Sequence, residues 1–213
     1  MTRGGMMQRL LVVLAALAAP AARAAEPPAA ASGVDRSAGP AGSLVLVESS
    51  HALPLVRVAA VVRAGSGWDP HKKEGLAQLA AAVARRGAAG ASRVELDARL
   101  DALGAELDAT VDPDSLRLEG HVLARNLDPF LAIVADVLLR PTFAPDEMAR
   151  TRRDLLAQID EAGNDDSALG LRFFGRNLYG DHPYGYPPEG TRASLARVRP
   201  AGSRRWRRRP ASG

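Results

Sequence analysis

The chain has 213 residues, with 28 Lys or Arg against 24 Asp or Glu, 46% apolar residues and no cysteine. That length fits one domain, or one domain with tails. The lack of cysteine excludes a disulfide framework, which an exported protein with a real core does not require. The net charge of +4 hides a segregation. Eight basic residues lie between Arg192 and Gly213 and three (Arg3, Arg9, Arg23) precede residue 24, so 17 remain in the body against all 24 acidic residues.

In chain order, Arg3 and Arg9 precede the apolar run 10–17, small residues follow, and Ala22-Arg23-Ala24 offers an A-x-A cleavage site. This pattern predicts a secretory signal peptide over 1–24, too short in its apolar core to span a bilayer. Export to the periplasm or beyond is therefore expected, with no membrane attachment after cleavage. Residues 25–42, rich in Ala, Pro, Ser and Gly, predict a disordered linker.

Residues 43–48 (Ser-Leu-Val-Leu-Val-Glu) predict a short strand, and the β-branched, largely apolar run 55–64 predicts a buried central one. Gly65, Ser66 and Gly67 break it, and Asp69-Pro70 turns the chain into a helix over 74–86 with Leu76, Leu79, Ala80 and Val83 as its stripe. Ser92 to Glu95 forms a capping box for a helix ending near Leu103. Residues 106–111 and 115–122 alternate around Asp112-Pro113-Asp114 and predict a hairpin. Helical phase then returns over 127–139, over 145–162 with Pro145 at N1, and over 167–178. The order β-β-α-α-β-β-α-α-α predicts an α+β fold, an antiparallel-rich sheet with helices packed on one face.

Two segments carry chemistry by what they lack. Gly65-Ser66-Gly67-Trp68-Asp69-Pro70, followed by Gly75-Leu76-Ala77, resembles the G-S-x-x-(D/E)-P…G-L-A signature of the insulinase-like (pitrilysin) zinc metallopeptidases. Gly180-Asp181-His182-Pro183-Tyr184-Gly185 and Pro188-Glu189-Gly190-Thr191 resemble the same amino-terminal domain, so that the likeness spans 43–198. In that family H-x-x-E-H follows directly. Here the positions fall on Gln78, Ala81 and Ala82, and the third-ligand glutamate, some seventy-odd residues on, falls on Gln158. An inverted zincin needs two imidazoles one helical turn apart and a carboxylate to polarise the metal-bound water. An amide is a poor ligand and a methyl is none. The resemblance thus implies a metallopeptidase homologue without zinc, without a general base and with no catalytic residues.

The remaining candidates read as structural. His51, His71, His121 and His182 have no His/Glu cluster around them, and Asp160, Glu161, Asp165 and Asp166 lack the spacing of a calcium loop. Ser66 has neither a nucleophile elbow nor a paired base. The resemblance implies a peptide-binding surface around the helix of Gln78, with Trp68 and Tyr184 beside it. It also implies an active insulinase-like subunit as partner in a shared chamber. A stand-alone exported peptide-binding module and an active peptidase with a rebuilt metal site are the alternatives. Residues 199–213, with Arg204-Arg205-Trp206-Arg207-Arg208-Arg209, have no helical or strand pattern. They are expected to be a basic disordered tail from a truncation or frameshift, leaving the domain's last helix and strand missing. No nucleic-acid partner is expected of an exported chain.

Overall fold

The computed structural model describes residues 33–39, 42–50 and 52–198. The signal peptide expected over 1–24, His51 and the tail 199–213 lie outside the described residues. The chain divides into two compact units between Ala52 and Leu53.

In the first unit, β1 (Val34–Ala38) and β2 (Leu44–Glu48) pair antiparallel, Val34 opposite Glu48 and Ala38 opposite Leu44. Part of the expected linker is therefore a strand. The Gly39 N–H donates to the Ser43 carbonyl at 2.7 Å and closes the turn. Every residue of both strands is exposed, so β1 rests on backbone hydrogen bonds and leaves no apolar pattern to read.

The second unit holds a three-stranded antiparallel sheet in the order β3 (Leu55–Val62), β5 (Leu116–Leu123), β4 (Glu106–Val111). Among the described residues six α-helices accompany it: α1 (Leu76–Ala84), α2 (Arg93–Leu103), α3 (Leu127–Leu139), α4 (Pro145–Ala162), α5 (Asp166–Tyr179) and the single turn α6 (Arg192–Leu195). The α+β class and every long helix agree with the sequence reading. Strand β5 shows why the helices gather on one face. Leu116, Leu118 and Val122 are buried while Arg117 and Glu119 between them are exposed, the alternation of a sheet covered on one side. Against that face pack Phe130, Ile133, Val134 and Val137 of α3 and Leu96 and Leu100 of α2. Gly120 makes room for this layer, since a Cβ there would sit 2.8 Å from the Phe130 ring and against the Glu106 carbonyl.

Strand β3 departs from the expectation of a buried central strand. Among the described residues it pairs with β5 alone, Val56, Val58 and Ala60 are half-buried, and Val61 is 59% exposed. Its apolar character on both faces is that of a central strand, but with one neighbour only the helix-facing row is covered. A second core joins α1 to α4. Leu76, Leu79, Ala80 and Val83 meet Phe143, Met148, Leu155, Leu195 and Val198, and Arg86 clamps the end of α1 to Asp154 at 2.8 Å. Among the described residues no helix is long and apolar enough to cross a membrane.

Candidate functional site

The site is built around the start of α1. Its N-cap residue, Gly75, has φ +87° and no side chain with which to cap, so the helix takes its cap from further back. Asp69 reaches over the turn, and its carboxylate accepts from the Gly75 N–H at 2.8 Å and the Ala77 N–H at 2.9 Å. The Asp-Pro dipeptide thus satisfies amide donors that every helix start leaves open. Burial pushes the Asp69 carboxyl from 3.8 up to about 7, with Glu74 adding to it, while the N–H groups of Ala77, Gly75 and Leu76 pull the other way.

Three further segments lock this corner. The Gly65–Gly67 loop lies on the β4–β5 turn, the Ser66 N–H donating to the Asp112 carbonyl at 3.0 Å and the Gly67 N–H to the Pro113 carbonyl at 2.8 Å. The Glu189-Gly190 turn meets Glu74-Gly75 backbone to backbone, so closely that a Cβ on either glycine would strike the other segment's carbonyl. The buried Ser194 hydroxyl donates to the Glu74 carbonyl at 2.7 Å. The His182-Pro183-Tyr184-Gly185 loop completes the corner. His182 Nδ1 accepts from the Tyr184 N–H at 3.2 Å, the two rings stand edge to face at 4.8 Å, and the Tyr184 hydroxyl donates to the Asp114 carboxylate. That hydrogen bond raises the Tyr184 pKa. His182 therefore shapes a loop, as the sequence suggested.

Gln78 and Ala82 are half-buried on α1, Ala81 is buried, and Gln158 is exposed on α4, three residues beyond the core residue Leu155. Trp68 and Tyr184 are 49% and 38% exposed. They flank Gly67, where a Cβ would come within 3.4 Å of the Tyr184 ring. Beside them a cleft of about 120 Å³ is lined by Ser66, Asp69, His71, Glu74, Asp181 and Tyr186, among others. Among the described residues no group of three or more His, Cys, Asp or Glu side chains could hold a metal ion. The donor set at the family's zinc position, two amides and two methyl groups, does not fit zinc.

Sequence reasoning missed Asp69 as the cap of α1 and Arg176 as the brace of the His-Pro-Tyr-Gly loop. Arg176 donates to the Gly180 carbonyl and the Asp181 carboxylate, and stacks 4.6 Å from the Tyr186 ring. The Asp-Pro pair carried a signal for the first. Arg176 carried none.

The profile of the insulinase family (peptidase family M16) matches residues 44–192. The chain belongs to this family. Among the insulinase-family relatives is an uncharacterized zinc protease of Mycobacterium leprae, 31% identical over 172 residues, covering 79% of this chain and 38% of the relative. A Mycobacterium tuberculosis H37Rv protein of the same description is 29% identical over 169 residues, covering 79% and 39%. The chain thus spans about two fifths of the length of the curated relatives it matches. Among solved structures, a peptidase M16 inactive domain from Pseudomonas fluorescens superposes with TM-score 0.77 at 25% identity, covering 82% of this chain and 42% of that one. Pitrilysin superposes with TM-score 0.69 at 20% identity, covering 81% and 19%, which supports the fold alone.

Proposed function

We propose that this chain is a non-catalytic member of the insulinase family, exported from the cytoplasm, which contributes a peptide-binding wall to a chamber formed with an active insulinase-like subunit. The observation that carries this reading is the family's zinc helix kept in form and emptied of chemistry. Helix α1 retains its Gly-Leu-Ala start, its Asp69 cap and its packing on α4, while Gln78, Ala81, Ala82 and Gln158 stand where two imidazoles and two carboxylates would be needed. Small and neutral side chains there leave no unmatched ligands to bury. The likeness to a domain described as inactive supports the same reading. The description of the curated relatives as zinc proteases favours an active enzyme, which would need histidines brought together elsewhere.

Peptide would lie along the exposed Trp68 and Tyr184, which offer flat apolar surface with a polar edge. The test is a pair of titrations on one peptide pool. Fluorescence anisotropy of dye-labelled peptides should report saturable binding that Trp68→Ala weakens about tenfold, and mass spectrometry of the same mixtures should find the peptides intact with and without added zinc. Zinc-dependent cleavage would overturn the non-catalytic reading. Binding untouched by Trp68→Ala would overturn the placement of the peptide.

A further inference from the structure

The cleft beside Trp68 and Tyr184 holds more negative charge than the corner around it matches. Its lining brings the carboxyl groups of Asp69, Glu74 and Asp181 against one histidine, His71, and no Lys or Arg. Arg176 shows how this corner takes a guanidinium. Its head lies 4.6 Å from the centre of the Tyr186 ring, which also lines the cleft, and donates to the Asp181 carboxylate at 2.7 Å. Asp181 is thereby matched. Among the described residues, Asp69 and Glu74 are not. Burial, the N–H groups of α1 and Glu74 itself are the influences on the Asp69 carboxyl, with no Lys or Arg among them. The Glu74 carboxylate accepts from the Lys72 backbone N–H at 2.9 Å, a neutral donor.

The same chain carries cations to spare. Residues 199–213 hold six arginines and no acidic residue, with five of the arginines in 204–209. The body between residue 24 and Arg192 is acidic in turn, with 17 basic residues against 24 acidic ones. The route between the two is short. From Pro187, which lines the cleft, the chain turns at Glu189-Gly190 against Glu74-Gly75, and the Ser194 hydroxyl donates to the Glu74 carbonyl at 2.7 Å. Arg204 lies ten positions after Ser194. An extended chain covers about 3.3 Å per residue, so the arginines reach the cleft with slack. A short tether holds them there at an effective concentration of about millimolar.

We propose that the arginine run 204–209 folds back onto the body of its own chain and seats a guanidinium in this cleft, beside Glu74 and Asp69. The pairing repeats what Arg176 does with Asp181, and the Tyr186 and Pro187 walls cover the apolar stem of the incoming arginine. The contact stands whether or not Trp68 and Tyr184 hold a peptide. Where they do, the tail competes for the ground beside them.

The chain has no cysteine, so a pair of thiols can report the contact in the full chain. His71→Cys with Ser203→Cys puts one thiol in the cleft and the other just ahead of the arginines. On mild oxidation this pair should close a disulfide within one chain at least about tenfold faster than Val94→Cys with Ser203→Cys, Val94 being 76% exposed on α2. The rate should fall at least about fivefold in about 1 M salt, where screening shortens to about 3 Å. It should fall at least about threefold in Glu74→Gln, with an unchanged far-UV spectrum. A tether without charge recognition would leave the rate indifferent to both changes. A rate indifferent to salt or to Glu74→Gln, equal rates for the two cysteine pairs, or disulfides between chains would each overturn the proposal. No readout involves zinc or added peptide, so the failure of this proposal and that of the chamber reading are separately visible.

Discussion

Asp69 does two jobs that pull against each other. Its carboxylate holds the start of α1 through the Gly75 and Ala77 N–H groups, and burial holds its pKa near 7. A carboxyl raised from 3.8 to about 7 binds its proton more tightly in the folded chain than in the unfolded one. Its contribution to stability is therefore complete below about pH 4 and is lost as pH rises through about 7. Thermal melts from pH 4 to 8 should fall more steeply for the unaltered chain than for Asp69→Asn, and parallel curves would contradict this. Gly75 makes a second prediction at the same corner. Gly75→Ala adds strain at φ +87° and drives a methyl into the Glu189 carbonyl, whereas Gly104→Ala, at φ +59°, meets open space. Gly104→Ala should cost about 1 kcal/mol and Gly75→Ala at least about twice that, as read by denaturant melts.

Helices were the legible elements. Ser92 with Glu95 forms the capping box its spacing announced, the Ser92 N–H donating to the Glu95 carboxylate at 2.8 Å. Pro145 opens α4, and the stripe Leu76, Leu79, Ala80, Val83 packs where a helical period puts it. What escaped was whatever rests on backbone contacts between distant segments. Strand β1 has no buried side chain, so nothing in its composition separates it from a linker. Strand β3 has the composition of a central strand, and composition carries no information on how many neighbours it gains. At the site, the places of Gln78, Ala81, Ala82 and Gln158 are an expectation taken from a known pattern. The docking of Gly75 on Gly190, 115 positions apart in the chain, was not legible, because close approach of two carbonyl groups leaves only a pair of glycines as its trace. If α1 is the retained scaffold of a zinc helix, its packing on α4 should be as costly to disturb as any core. Leu79→Ala, at a fully buried position, should lose about 2–5 kcal/mol in the same melts.

At the scale of the whole molecule, the chain carries the frame of an insulinase-family domain. The profile match over 44–192, the α+β sheet-and-helix layers and the braced corner around α1 all belong to an insulinase-family domain. The proposed reading is that Gln78, Ala81, Ala82 and Gln158, at the positions expected for the family's ligands and base, hold no zinc. Zinc bound by a site of this kind would be held tightly enough to survive desalting. The most direct measurement is therefore the metal content of the purified chain, by mass spectrometry after a zinc soak and desalting. The account predicts essentially no zinc. One zinc per chain would contradict it, because residues outside the family's ligand positions would then have to assemble the site.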